Sequence, residues 1–170
     1  MPTGLKQTSS VVSVGFRTVE SGANTFTQNS VDLNLSPLDR EVFVVLAVNM
    51  DSSFPDAQAG INSSVACALS TTSQTDIPTL QDANCLSRLT NTIQAAGFAD
   101  SGVGFTSQAL ETPPSTLEYI GIIATNDFFV SIKGTQNLAA KAVSGKLYGY
   151  RAQASSDIYA ALVQSEVLSA

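Results

Sequence analysis

The segment Glu41 to Met50 (EVFVVLAVNM) does most to restrict what this chain can fold into, because it is almost continuously apolar and rich in valine. A helix with one wet face would show apolar residues every three to four positions, and a strand with one wet face would alternate. This run does neither. Bounded by Ser36-Pro37 before it and by the Asp, Ser, Pro and Gly residues of 51–60 after it, it reads as a strand covered on both faces, the central strand of a core.

Around it lie shorter segments of period two. Val12, Val14 and Phe16 alternate with Ser13, Gly15 and Arg17, placing a strand near 11–20. After the turn residues Ser21-Gly22-Ala23-Asn24, a polar β segment runs from Phe26 into the alternation Val31, Leu33, Leu35. Val65, Cys67 and Leu69 mark another strand within 61–69, and Val103 to Leu110 one more. Leu117 to Ala124, the turn Thr125-Asn126-Asp127 and Phe128 to Lys133 read as a hairpin, since Asn and Asp accept the left-handed conformation a tight turn demands. Ala142 to Ala154 is a further strand, with Lys146, Tyr148 and Tyr150 on one side and Leu147 and Gly149 on the other. The C-terminal segment, with Ile158, Ala161 and Leu162, fits a short helix or a last strand.

One stretch departs from this rhythm. Leu86, Leu89, Ile93 and Ala96 share one helical face, with Asp82 available as an N-cap and Gly97 as a stop, which predicts a helix over roughly 79–96. The expected fold is therefore all-β: an antiparallel sandwich with one inserted helix, for which a jelly roll is the commonest arrangement at this length. Residues 1–10 are expected to form a mobile N-terminal segment and 11–170 one domain, long enough to bury a core without metal or disulfide staples.

Composition removes several kinds of function. The chain contains no histidine, so nucleophilic catalysis by Ser or Cys lacks its usual base and zinc lacks a usual ligand. The net charge of −6 repels phosphate, which argues against nucleic acid as a direct partner. The N-terminus MPTGLKQTSSVV lacks the pattern of a signal peptide and no apolar run is long enough to span a bilayer, so synthesis in a cytoplasm is expected. In that reducing setting Cys67 and Cys85 are expected to be buried free thiols.

The remaining candidates each have a plainer reading. Asp51 with Asp56, and Glu111 with Glu118, supply paired carboxylates but are also ordinary loop charges, and the absence of Trp leaves no sugar platform beside them. Ser131 with Lys133, and Ser144 with Lys146, are spaced i, i+2 on strands and so share a face, as exposed strand residues commonly do. Gly102-Val103-Gly104-Phe105 lacks the spacing of a phosphate loop and is a turn. Calcium is the one cofactor with a case, through the oxygen-rich loops holding Asp51, Ser53, Asp56, Asn126 and Asp127, although their spacing matches no EF-hand.

Charge is sorted along the chain. Residues 42–132 hold eight acids and one base, Arg88, whereas 133–156 hold Lys133, Lys141, Lys146 and Arg151 and no acid. With Tyr148 and Tyr150 interleaved, this basic segment has the residue types of a protein interface, and an acidic surface on another copy is its natural complement. The expected interface is Lys133, Lys141, Lys146, Tyr148, Tyr150 and Arg151.

The strand order over about 11–154, with the segments TNDFFVSIKG and SGKLYGYRA, resembles the single jelly-roll capsid proteins of icosahedral viruses, including those of bacteria and archaea. The resemblance implies a non-enzymatic, self-assembling subunit of a capsid or shell, located in the virion, with other virion proteins as further partners. A decoration or tail component fits the same features. The rival from another class is a carbohydrate-binding or adhesive sandwich, which would need Tyr119, Tyr148, Tyr150 and Tyr159 on an exposed face.

Overall fold

The computed structural model describes residues 2–109 and 115–169. Within them the strands are β1 Leu5–Gln7, β2 Val12–Val19, β3 Thr27–Asp32, β4 Glu41–Ser52, β5 Ser63–Ser70, β6 Cys85–Gln94, β7 Val103–Ala109, β8 Gly121–Ile123, β9 Asp127–Thr135 and β10 Ala142–Ala154, followed by helix α1, Ser156–Leu168.

Antiparallel pairs join β2 to β10, β3 to β9, β4 to β8 and β5 to β6. From β2 to β10 the chain is thus one long hairpin with its tip at β5 and β6. The hairpin is rolled so that alternate pairs fall in opposite sheets, and β10–β4 and β9–β5 contacts complete each sheet. That connectivity is a jelly roll. Residues 5–7 add β1 beside the end of β10. The strand β7 is an insertion in the roll and lengthens one edge of the second sheet, whose order is β3-β9-β5-β6-β7.

The core lies between the sheets, where Phe16, Phe43, Val48, Val65, Cys67, Leu69, Leu89, Phe128, Val130, Ile132 and Leu147 meet. Phe16 and Phe128 pack edge to face with ring centroids 6.0 Å apart. The two rings over β10 need glycine beneath them. A Cβ on Gly145 would meet the Asn49 carbonyl and lie 2.8 Å from the Phe16 ring, and one on Gly149 would meet the Val44 carbonyl and the Phe43 ring.

The unbroken apolar run of β4 has the cause expected of it. Phe43, Val45, Val48 and Met50 face the core, while Val42 and Val44 face outward beneath α1, together with Tyr150, Ala152, Ile158, Tyr159, Leu162 and Val163. The inward face changes parity between Val45 and Val48 because the β4–β10 register slips there, Tyr148 pairing with Ala47 and Gly149 with Val45. Leu46 is the extra residue.

A similar slip explains why residues 79–96 form no helix. Leu69 pairs with Ser87 and Ser70 with Cys85, so Leu86 is bulged into the core three residues before Leu89, a spacing that mimics a helical face. Beyond the bulge Ser87, Leu89 and Asn91 are buried at period two, and Thr90 and Thr92 are β-branched residues suited to a strand flanked by β5 and β7. Asp82 closes a turn, accepting from the Thr79 amide at 2.8 Å, and Gly97, at φ +90°, ends a strand instead of a helix. Among the described residues the helix is α1 at the C-terminus, where the sequence left helix and strand open.

The expected hairpin about 125–127 is also corrected. The strand β8 pairs with β4 in the first sheet and β9 with β3 and β5 in the second, so residues 124–126 arch between sheets. Asn126 holds the arch: its carbonyl accepts from the Leu33 amide and its side-chain oxygen from the Leu35 amide, both at 2.8 Å. Neither Asn126 nor Asp127 takes the left-handed conformation expected of the turn, which joins layers and not adjacent strands.

Candidate contact surface

The roll places loops at two ends. At one end, loops 20–26, 53–62 and 136–141 are tied by buried polar groups. Glu20, almost fully buried, accepts from the amides of Thr25, Gly134 and Lys141 at 2.9–3.0 Å. Asn137 accepts from the Asp56 amide, donates to the Ser64 carbonyl, and exchanges bonds with Asn24. Asp56 accepts from the Leu138 and Ala139 amides and pairs with Lys141 at 2.7 Å, and the Lys141 bond first, then the Leu138 amide, holds its carboxyl below the usual range.

The charge sorted along the sequence is in large part used inside the chain. Lys141 reaches Asp56, Lys133 reaches Asp76 at 3.2 Å, and Arg151 reaches Glu41 at 3.2 Å while also donating to the carbonyls of Leu33 and Asn34. Each joins the basic segment to an acid from residues 41–76. Wrapping a long hairpin sets its late strands beside its early ones, so bases and acids far apart in sequence become neighbours.

The six expected interface residues are therefore not one patch. Lys133 lies on the outer face of the second sheet, Lys141 and Arg151 at opposite ends of the roll, and Tyr150 is buried beneath α1, where burial first and the Glu118 charge second push its phenol up. Lys146 and Tyr148 remain together on the outer face of the first sheet, Lys146 exposed and Tyr148 half-buried. Their neighbours across the sheet are Gly15 and Asn49, and Ser13 and Ala47.

The chemical candidates are dispersed too. Ser131 is buried with its hydroxyl donating to the Ala68 carbonyl, while Lys133 turns to Asp76, so the two do not pair. Asp56 and Asp127 sit at opposite ends of the roll, and among the described residues no three Asp, Glu or Cys side chains converge as metal ligands would. Glu111 lies outside the described residues. Cys67 and Cys85 are free and buried, and burial pushes the Cys67 thiol up to about 12.

Sequence reasoning missed the apolar surface around β7. Val103 is 49% exposed and Phe105 56%, and Phe54, whose ring lies at Gly104, is exposed as well. Residues 101–107 are exposed throughout, and among the described residues β7 is the last strand of its sheet. Gly104 lets Phe54 lie against the inner side of the strand, since a Cβ there would stand 3.1 Å from its ring. The available signal was a strand with two large apolar residues and no charge at all.

No protein-family model matches the sequence, and no curated protein matches it. Among solved structures the chain is similar to one from Desmodium yellow mottle tymovirus, at 14% identity and TM-score 0.33 over 92% of this chain and 96% of that one. It is also similar to one from turnip yellow mosaic virus, at 12% identity and TM-score 0.28 over 83% and 93%. Both neighbours are viral, as the sequence resemblance leads one to expect. At these TM-scores the likeness is too loose to carry a site, a partner or an assembly over to this chain.

Proposed function

We propose that this chain is a structural subunit that associates with copies of itself into a virion shell. The observation that carries the reading is the exposed, uncharged β7 edge, with Val103 and Phe105 on its outer side and the partly exposed Phe54 against its inner side. Soluble monomers rarely leave such apolar groups together at an open sheet edge, where charge, proline or a covering loop is the usual protection. Lys146 and Tyr148, on the other sheet, supply a second contact of different chemistry. Two separate patches matter because one self-complementary patch yields only a dimer, whereas two allow an assembly to extend or close.

The same reading puts the protein in the virion after synthesis in the host cytoplasm, as a capsid, decoration or tail component. The carbohydrate-binding alternative is disfavoured by its own aromatics: Tyr150, Tyr119 and Tyr159 pack in the cluster beneath α1, which leaves Tyr148 alone on the open face. Sedimentation velocity over a concentration series, with negative-stain microscopy of the concentrated sample, tests the reading. Rings, sheets or shells are expected, and a strict monomer at the highest concentration would refute it.

A further inference from the structure

We infer that β7 is the seat of a second copy of this chain, bound edge to edge and antiparallel through its own β7 about a two-fold axis, so that two five-stranded sheets become one of ten. This rests on the self-association reading and names the surface that performs it.

The occupant follows from the chemistry of the edge. An open edge strand offers a row of backbone donors and acceptors that any extended chain can meet, so side chains and nearby charges decide which one does. From Ser101 to Ala109 the strand is SGVGFTSQA, without charge or proline, and an identical strand meets it with no like charges opposed. Direction follows from symmetry: a two-fold that joins the same edge of two copies, with the outer faces of both sheets on one side of the joined sheet, sets the two β7 strands antiparallel.

The axis is placed by the strand's facing. Val103, Phe105 and Ser107 lie on the outer side, because Gly104 and Thr106 pair with the inward Ile93 and Asn91. A two-fold perpendicular to the sheet keeps outer side against outer side. Centred on Thr106, the middle of β7, it puts Phe105 opposite Ser107 of the copy and brings the two Phe105 rings to a diagonal, within reach of aromatic side chains. An isologous contact of this kind is closed and stops at a dimer, leaving the Lys146 and Tyr148 face to link dimers.

The test compares the full chain with Phe105→Lys by sedimentation velocity, because a lysine on an exposed edge is how natural strands refuse partners. Phe105 lies outside the core, so thermal melts at a dilution where the wild type is monomeric should be unchanged while the dimer weakens by roughly tenfold or more, as for the loss of a central aromatic contact. In parallel, Ser107→Cys is treated with a short bismaleimide, with Ser30→Cys on the β3 edge of the same sheet as comparison. Buried Cys67 and Cys85 do not compete. Covalent dimer at residue 107 and none at residue 30 is expected. If the wild-type chain associates but residue 107 fails to cross-link, the edge assignment is overturned and the assembly reading stands. A wild-type chain that stays monomeric overturns both.

Discussion

Glu166 is an acid in a place that does not favour its charge. It is 7% exposed, and its two carboxylate oxygens accept from the amides of Ala124 at 3.0 Å and Thr125 at 2.9 Å, which fastens α1 to the arch between β8 and β9. Burial raises its pKa above the ordinary 4.5, against the lowering effect of those bonds. A raised folded-state pKa means that the native form holds its proton longer than the unfolded chain, so the residue's contribution to stability falls as pH rises from about 4.5 through the folded value. In Glu166→Gln that slope is absent. The melting temperature of the variant relative to wild type should therefore rise between pH 4 and pH 7 by whatever the wild type loses there, and a difference that stays flat or falls would contradict this. Asp56 has the opposite sign: its lowered pKa gives stability above about 3.8 that is lost as pH falls through the folded value. At Cys67 a thiol near 12 is almost wholly protonated at neutral pH, and the thiolate is the nucleophile. Iodoacetamide at pH 7.5 should leave it unmodified in the folded protein and alkylate it after unfolding, as mass spectrometry would show. The burial of both cysteines was legible, since an unpaired Cys in a reducing compartment behaves as a small core residue, and Cys67 also sits in the alternation Val65, Cys67, Leu69. The roles of Glu20 and Glu166 were not, because the amides that hold them, Gly134 and Lys141 for Glu20 and Ala124 and Thr125 for Glu166, are more than 40 residues away and an amide leaves no mark in a sequence.

Strands were legible wherever one face meets the core and the other meets water. β2, β5, β9 and β10 show that alternation plainly, and β4 could be recognised as covered on both sides before it was known that α1 covers the outer one. Errors arose where an extra residue interrupts the period. The Leu86 bulge turned a strand into an apparent helix, and nothing in CLSRLTNTIQ separates three residues spanning a bulge from three spanning most of a helical turn. Sheet membership was hidden for a similar reason, since a tight turn and an arch between layers use the same Asn. The facing of the late strands can be checked directly. Phe128 on β9 is fully buried against Phe16, so Phe128→Ala should cost about 3–5 kcal/mol in a chemical denaturation series. Tyr148→Ala, on the open face of β10, should cost well under half of that and impair assembly instead. Equal losses of stability would mean that Tyr148 is part of the core and not of a contact surface.

At the scale of the molecule, charge sorting along the sequence and charge sorting on the surface are different properties. The rolled hairpin returns β9 and β10 to the early strands, and three of the four bases in 133–156 find acids of their own chain. This bears on how the assembly should respond to salt. An interface built from Lys and Arg against acidic loops would weaken sharply as the screening length falls from about 10 Å at 0.1 M to about 3 Å at 1 M. Association through the β7 edge draws instead on backbone hydrogen bonds and on Val103 and Phe105. Apolar burial does not weaken in sodium chloride, and stabilising salts such as sulfate strengthen it. The dimer step should therefore survive 1 M sodium chloride with only a small change in apparent affinity, while any higher-order step through Lys146 and Tyr148 loosens first. Light scattering at fixed protein concentration across a series from about 0.05 M to about 1 M sodium chloride, over which the screening length shortens several-fold, separates the two steps. Collapse straight to monomer at high salt would place the main contact on charged residues and away from β7.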